Sequence, residues 1–363
     1  MARNQLEINL SIIRDNYRRI FTALAPLKVM AVLKANAYGL GAQQIARALL
    51  KENCPYIGVA DTQEALELMD LGVPIHILGD ILPDEIPLIV QHDFIAPITS
   101  FAQADALNTE AQKQDKKVIA HFLIDSGMGR LGIIIDEANE QIRACTKLSH
   151  ISFEGIYSHF PFAYGDEEFS ALQVNNFLNL LGELKSDGIE FSEVHMANSD
   201  GIHNIPNSLK SPFTMARTGI NLYGCFDLEG RKTVELSQAM TLKSRLVAVR
   251  HMPADSTIGY GRTYKLPKDQ LVGTVPIGYA DGIPIGLSNK GSMIIQGKKC
   301  PVLGRVSMDY TTVCLDKVPE AQCGDEVICL GEDITVPQWA EMKQSIPYDI
   351  ICSIGERVER VYI

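Results

Sequence analysis

The feature that most constrains the fold is an alternation of short apolar runs and amphipathic segments between about residues 28 and 220. A strand that is repeatedly followed by a helix predicts a parallel sheet. Eight such runs predict an α/β barrel of the TIM type, a (β/α)8 barrel, whose catalytic residues lie at the carboxyl ends of the strands. The runs are residues 28–33, 56–60, 75–78, 94–98, 118–124, 151–159, 193–197 and 213–216.

Beyond residue 232 the runs become short, rich in Val, Ile and Thr, and separated by Gly, Pro and Asp. This pattern predicts a mostly antiparallel β domain with one helix near residues 336–342. We therefore expect a barrel over residues 11–232 and a β domain over residues 233–363, which a strand within residues 1–10 joins. The predicted strands are residues 234–249, 271–276, 291–295, 299–303, 311–315 and 326–330.

Composition restricts the class of protein. The 363 residues are 46% hydrophobic and 21% charged, which is typical of a globular enzyme. A net charge of −11 argues against a nucleic-acid or membrane partner, and no apolar run approaches the roughly 20 residues of a membrane span. The eight cysteines form no Cys-x-x-Cys pair, and the first residues do not resemble a signal peptide. We expect no metal site and a cytoplasmic location.

Lys34 ends the first apolar run and is followed by Ala-Asn-Ala-Tyr-Gly. A partly desolvated lysine at the mouth of a barrel has a lowered pKa and can attack a carbonyl to form a Schiff base. The following small residues and glycines let the backbone approach a bulky cofactor. An ordinary surface lysine after a strand explains this fragment equally well when it is taken alone.

The run ending at Ile124 is followed by a glycine-rich loop that contains Gly-x-Gly-x-x-Gly at Gly127, Gly129 and Gly132. A dinucleotide-binding fingerprint would open a helix and be followed by an acidic residue about 20 positions later. The sequence has Leu-Ser-His at residues 148–150 instead. We favour a tight loop that presents Arg130 to an anionic group.

Other polar residues also stand at the ends of predicted strands. Each has a plain structural explanation, such as a buried histidine or a helix cap. Together they lie at one end of the barrel, which favours an active site, and a helix start there could bind phosphate. In the β domain, Tyr260 lies between two glycines, and Tyr279 and Met308 lie in similar turns. The barrel residues are His159, Asn198, Ser199, Arg217 and Gly219.

These motifs together resemble the alanine racemases in order and spacing, from about residue 30 to Arg357. The resemblance implies a racemase that interconverts L- and D-alanine through an aldimine of pyridoxal 5'-phosphate, using a base on each face of the substrate. It also implies a homodimer whose active sites are shared between subunits, and a role in supplying D-alanine for a cell wall. Lys34 and Tyr260 would be the two bases.

The resemblance implies further roles for individual residues. The cofactor phosphate would contact Tyr38, Ser199, Gly219 and Ile220. The pyridine ring would lie against His159 with Asn198 nearby, and Arg217 would bond its nitrogen. The substrate carboxylate would bind Arg130 and Met308, with Tyr279 near the entrance.

Two departures from the family pattern leave alternatives open. Many relatives carry a carbamylated lysine where this chain has Leu123, so Arg130 needs another brace, such as an anion. Some place a phosphate-binding tyrosine where Glu356 stands, and we expect no cofactor role for this acidic side chain. A serine or broad-specificity racemase is the alternative within the fold. A non-catalytic carrier of pyridoxal phosphate and a decarboxylase fit the paired Lys34 and Tyr260 motifs less well.

Overall fold

The computed structural model describes residues 3–363. Its strands are β1 (Gln5–Ile8), β2 (Lys28–Val32), β3 (Ile57–Val59), β4 (Ile75–Ile77), β5 (Ala96–Ile98), β6 (Val118–Asp125), β7 (Ile133–Ile134), β8 (Ile151–Tyr157), β9 (Glu193–His195), β10 (Met215–Thr218), β11 (Met240–Arg245), β12 (Ala248–Met252), β13 (Thr257–Ile258), β14 (Tyr264–Lys265), β15 (Gln270–Val275), β16 (Ser292–Ile295), β17 (Lys298–Pro301), β18 (Thr311–Cys314), β19 (Glu326–Leu330) and β20 (Glu359–Tyr362).

Eight parallel strands close into a barrel, as the sequence predicts. Their order is β10-β2-β3-β4 in one half and β5-β6-β8-β9 in the other. A parallel bridge between His76 and Ile95 joins β4 to β5. The N–H of Thr214 donates to the carbonyl of Val194 at 2.9 Å and joins β10 to β9. The predicted α/β barrel is confirmed, and each of the eight predicted runs contains or overlaps one barrel strand.

The helices between the barrel strands pack around the barrel, and several of them carry polar caps at their amino ends. The side chains of Asn9, Asp61, Ser100 and Asp166 each accept a backbone N–H of the helix that follows, which satisfies donors that have no partner within the helix. In the described part of the chain no helix is long and apolar enough to cross a membrane. The helices are Leu10–Leu24, Ala42–Leu50, Thr62–Leu68, Ile86–Gln91, Phe101–Lys113, Ile135–Cys145, Glu167–Ser186, Ser199–Asn204, Val336–Lys343 and Pro347–Cys352.

The β-rich region is mostly antiparallel, as predicted. It contains a six-stranded sheet in the order β17-β16-β19-β11-β1-β20, a three-stranded sheet β12-β15-β18 and the hairpin β13-β14. Strand β1 pairs antiparallel with β11 and parallel with β20, so the start of the chain is built into this sheet. The strand predicted within residues 1–10 includes residues 1 and 2, which lie outside the described residues.

The segment between the barrel and β11 differs from the prediction. Residues 234–239 form no strand, although the sequence predicts one over residues 234–249. The reason is a polar attachment to the barrel: the buried Asn16 accepts the N–H of Ser237 at 2.9 Å and donates to its carbonyl at 2.8 Å. These bonds replace a strand ladder. The domain boundary at residues 232 and 233 falls in this irregular segment and stays a prediction.

Candidate active site

A cavity of about 620 Å³ opens at the carboxyl ends of the barrel strands. The apolar part of its wall includes Val32, Leu78 and Leu123, which lie at or near the carboxyl ends of barrel strands. Polar side chains from separate strand ends face the same space. Those predicted from the sequence are Lys34, Tyr38, Arg130, His159, Asn198, Ser199, Arg217 and Gly219. The barrel therefore brings most of the predicted site residues together.

Lys34 lies two residues after the end of β2 and directly precedes an unusual left-handed turn. Ala35, Asn36, Ala37 and Tyr38 all have φ between 51° and 61°. This conformation costs L-residues about 1–2 kcal/mol each, so the surrounding structure must hold it. The N–H of Ala37 donates to the carbonyl of Leu33 at 2.7 Å. The turn reverses the chain tightly enough that Lys34 and Tyr38 both line the cavity.

The amine of Lys34 lies in an environment that favours its neutral form. Its side chain is exposed to solvent through the open cavity and lies among the other residues that line the cavity wall. Desolvation lowers the pKa of Lys34, and the positive charge of Arg130 lowers it further. A neutral amine is a nucleophile towards carbonyl carbon, and it can accept a proton.

Hydroxyl groups and a close backbone approach form a second wall of the cavity. The hydroxyl of Ser199 accepts the N–H of Gly219 at 2.9 Å. A Cβ on Gly219 would lie 2.2 Å from the hydroxyl oxygen of Tyr38, so only glycine fits there. Ile220 is buried and starts the short 3-10 turn that follows Gly219. Hydroxyls and the first N–H groups of a turn suit an anion such as phosphate.

Tyr348 is one of the cavity residues that the sequence analysis does not predict, together with Tyr157, Tyr164, Asp200 and Asp227. It follows Pro347 at the start of the helix Pro347–Cys352, lines the cavity, and packs 5.8 Å from the ring of Tyr38. Glu356, at the position where some relatives have a phosphate-binding tyrosine, is exposed and is absent from the cavity wall. The sequence feature that could have identified Tyr348 is a tyrosine after a proline at a helix start, eight residues before Glu356.

Arg217 is a fully buried cation at the base of the cavity. Its Nη2 donates to the carbonyls of Ser158 at 2.8 Å and Met196 at 3.1 Å, and to Nδ1 of His159 at 3.1 Å. Its Nη1 donates to Nδ1 of His195 at 2.7 Å. Desolvation lowers the pKa of Arg217 to about 10, so it stays charged at neutral pH. In the described residues its Nε–H has no hydrogen-bond partner and is left for a ligand.

The donors of Arg217 fix the tautomers of the neighbouring histidines. A guanidinium can only donate, so Nδ1 of His195 must carry the lone pair and Nε2 the proton. Nε2 of His195 lies 3.3 Å from Nδ1 of His121, which therefore accepts. The ring of His76 packs edge-on against His121 at 4.5 Å.

These three buried rings have metal-ligand spacing, with their nitrogens within 4.8 Å of one another. A metal would need the Nε2 lone pair of His195 while Arg217 needs the lone pair on Nδ1. A neutral imidazole has only one such lone pair. The cluster therefore serves Arg217 and is a poor site for a metal ion.

Arg130 projects from the glycine-rich loop as an exposed side chain with no partner in residues 3–363. The carboxylate of Asp125 accepts the N–H groups of Gly127 at 2.9 Å and Met128 at 2.8 Å, and also that of Gly129. These donors are therefore not free to bind a pyrophosphate, and the loop leads into β7 rather than a helix. The dinucleotide alternative fails on both points.

Tyr260, Tyr279 and Met308 lie in the β-rich region and are absent from the wall of this cavity. Tyr260 is 73% exposed and stands between Gly259 and Gly261, which have φ of 68° and 73°. Tyr279 and Met308 are also exposed. The N–H of Tyr279 donates to the carbonyl of Ser307 at 3.0 Å, which holds these two turns side by side.

Burial keeps two site histidines neutral in acid. Desolvation lowers the pKa of His121 and of His159 to about 3, and Arg217 adds to the shift at His159. We expect both rings to stay unprotonated down to about pH 5 in the folded protein and to titrate near pH 6.5 in urea. The unfolded chain then binds more protons, so stability should fall as the pH drops from about 6.5 towards 3. Histidine NMR measures this, and a ring that protonates above about pH 5 in the folded protein would contradict it.

Comparison with known proteins gives a consistent match. The model for "Alanine racemase, N-terminal domain" matches residues 8–227, and that for "Alanine racemase, C-terminal domain" matches residues 239–362. The chain is 37% identical over 365 residues to an alanine racemase of Desulforamulus reducens, covering 98% of both chains. It is 35% identical over 368 residues to alanine racemase 1 of Caldanaerobacter subterraneus, covering 99% of this chain and 94% of that protein.

Solved structures agree. An alanine racemase of Clostridium difficile 630 superimposes with a TM-score of 0.93 at 33% identity, covering 100% of this chain and 96% of that one. An alanine racemase of Bartonella henselae with covalently bound pyridoxal phosphate has a TM-score of 0.90 at 30% identity, with full coverage of both chains. The chain belongs to the alanine racemase family.

Proposed function

We propose that the chain interconverts L- and D-alanine with pyridoxal 5'-phosphate as its cofactor. The observation that carries this proposal is the position of a desolvated lysine amine in one cavity with a free arginine N–H and a hydroxyl-lined anion pocket. An aldehyde, a ring nitrogen and a phosphate are the three groups that these features suit. When bound, pyridoxal phosphate supplies the electron sink that makes the α-proton of an amino acid acidic.

The residues present fit this cofactor. Lys34 would hold it covalently, and the hydroxyls of Tyr38, Ser199 and Tyr348 with the backbone at Ile220 would bind its phosphate. The N–H of Gly219 would join them by exchanging its bond to Ser199 for one to the phosphate. The close approach of Gly219 to Tyr38 is the structural support, because a larger side chain would close this pocket. His159 would lie against the ring with Asn198 nearby.

Arg217 would donate its free Nε–H to the ring nitrogen. Because a guanidinium has no lone pair to offer and a pKa of about 10 here, it leaves that nitrogen without a proton. A weaker electron sink favours simple return of a proton over transamination and other side reactions. The neutral form of His159 supports this arrangement, since a second cation there would repel Arg217.

Lys34 would move the proton on one face of the substrate. Its lowered pKa makes the amine a proton acceptor nearer to neutral pH, as a general base requires. Arg130 would bind the substrate carboxylate, because its guanidinium lines the cavity and has no partner in the described residues. Where many relatives have a carbamylated lysine, this chain has Leu123, which is buried in the same wall. The apolar side chain of Leu123 cannot accept a hydrogen bond from Arg130.

The second base would come from another copy of the chain. Tyr260, Tyr279 and Met308 are exposed and lie outside their own cavity wall, together with Ile285 and Tyr310. Exposed apolar and aromatic groups of this kind indicate a contact surface. We infer a homodimer in which Tyr260 of the partner subunit faces Lys34, with the partner's Met308 and the partner's Tyr279 near the substrate.

Loss of the lysine amine tests the cofactor assignment. Lys34→Ala should remove the visible absorbance of lysine-bound pyridoxal phosphate and lower alanine racemisation by several orders of magnitude, because the covalent attachment and one base are both lost. Lys51→Ala, an exposed lysine, is the control. Wild-type protein that stays colourless with added pyridoxal phosphate, or that racemises serine but not alanine, would overturn the proposal.

Mixing two inactive variants tests whether the site is shared. In a mixed dimer of Lys34→Ala and Tyr260→Phe chains, one site receives an intact lysine and an intact tyrosine, and the other receives neither. Random exchange should restore about a quarter of wild-type activity after unfolding and refolding together. Activity that stays at the level of the separate variants would place both bases in one chain.

The two bases should act on opposite enantiomers. Tyr260→Phe should slow release of the α-proton from one enantiomer at least tenfold more than from the other, because only one face loses its base. Deuterium exchange from L- and D-alanine measures the two rates. Tyr264→Phe, four residues along the same hairpin, is the control, and an equal loss for both enantiomers would count against the assignment.

A further inference from the structure

The first peptide of the left-handed turn is held by a side chain that neither the motif nor the cavity wall includes. The N–H of Ala35 donates to Oε1 of Glu64 at 2.6 Å. The second oxygen of the same carboxylate accepts the N–H of Ala60 at 2.7 Å, directly after β3. Glu64 thus links the turn after β2 to the end of the neighbouring barrel strand.

Glu64 is itself fixed in place. It lies in the first turn of the helix Thr62–Leu68, and its N–H donates to the capping carboxylate of Asp61 at 2.9 Å. Hydrogen bonds to an ionised carboxylate are shorter and about twice as strong as neutral ones. The helix start therefore presents a rigid acceptor to the turn.

The bond to Ala35 acts on Lys34 through the peptide that the two residues share. Holding this peptide plane sets the direction in which the Lys34 side chain leaves the backbone. The far end of the turn has its own attachments: the N–H of Ala42 donates to the side chain of Asn36 at 2.7 Å, and Arg360 donates to the carbonyl of Gly39 at 3.1 Å. Glu64 supplies the matching attachment at the lysine end.

We propose that Glu64 is a positioning residue that aims Lys34 into the cavity by bridging the N–H groups of Ala35 and Ala60. This rests on the proposed function for its consequence, since a correctly aimed amine is what covalent binding of pyridoxal phosphate requires. The bridge itself does not depend on the cofactor.

The experiment has to separate the effect of the negative charge of Glu64 on Lys34 from the effect of its two hydrogen bonds. The charged and titratable groups that act on Lys34 are Arg130 and Arg217, which lower its pKa, and Glu64 and Cys352, which raise it. Glu64→Asp keeps the negative charge but is one methylene too short to reach both N–H groups. Glu67→Asp makes the same change on an exposed position of the same helix and is the matched control.

In Glu64→Asp the amide of Ala35 should exchange hydrogen at least tenfold faster than in the wild-type protein, because its acceptor is lost. The dissociation constant for pyridoxal phosphate should rise at least tenfold. In cofactor-free protein, the pH midpoint for acetylation of Lys34 should rise, because an amine that leaves the cavity regains solvent and moves away from the two arginines. Trypsin does not cleave after an acetylated lysine, so acetylation of Lys34 is read from the peptide of residues 29–47, in which Lys34 is the only lysine, against the shorter peptides that unmodified protein gives.

The proposal would be overturned if the exchange rate of the Ala35 amide and the dissociation constant both changed by less than twofold and the acetylation midpoint did not move. Equal changes in Glu67→Asp would also overturn it. Faster exchange at Ala35 with unchanged acetylation of Lys34 would also overturn it, since the bridge would then not aim the lysine. Hydrogen exchange and acetylation need no bound cofactor. A chain that never binds pyridoxal phosphate would therefore refute the proposed function while both measurements still decide the role of Glu64.

Discussion

The structure of the site depends on the buried positive charge of Arg217. Backbone carbonyls and neutral imidazoles bind this guanidinium, and no carboxylate of the described residues does. The two terminal nitrogens of Arg217 donate to the carbonyls of Ser158 and Met196 and to the imidazoles of His159 and His195. A carboxylate partner would neutralise it and give a stable but inert ion pair. Its uncharged partners leave its positive charge uncompensated and force each histidine that it contacts into one tautomer. Closure of the barrel makes this arrangement possible, because β8, β9 and β10 each contribute to it at their carboxyl ends.

The lysine side of the cavity depends on strain that other parts of the chain offset. Four consecutive left-handed residues are unfavourable in isolation. The last strand of the β-rich region offsets part of that cost, because Arg360 donates to Gly39 and Tyr362 donates to the carbonyl of Leu40 at 3.1 Å. The two parts of the molecule are thus coupled through the turn that carries Lys34. Disturbing β20 should disturb the active site even though β20 is absent from the cavity wall.

The sequence alone is sufficient to place together the residues that lie at the carboxyl ends of barrel strands. Lys34, His159 and Arg217 could be placed together because the carboxyl ends of parallel barrel strands share one face, whatever the details of packing. Tyr348 could not be placed this way, since it reaches the cavity from a short helix near the end of the chain. Glu64 was missed for another reason: its role is a contact between a side chain and the backbone, and no pattern of residue types reports that contact. The irregular path of residues 234–239 likewise follows from the single buried side chain of Asn16.

The proposed division of the two bases between chains agrees with the architecture. The carboxyl ends of the barrel strands share one face, and Lys34 lies at that face. A base on the opposite side must approach from outside the barrel mouth, on a rigid support that leaves its phenol exposed. Tyr260 has this form, because it is exposed on a glycine-flanked turn of the β-rich region and is absent from the wall of its own cavity. A site completed in this way would be assembled only when two chains meet, so the free monomer would retain the cofactor pocket but lack catalysis on one face.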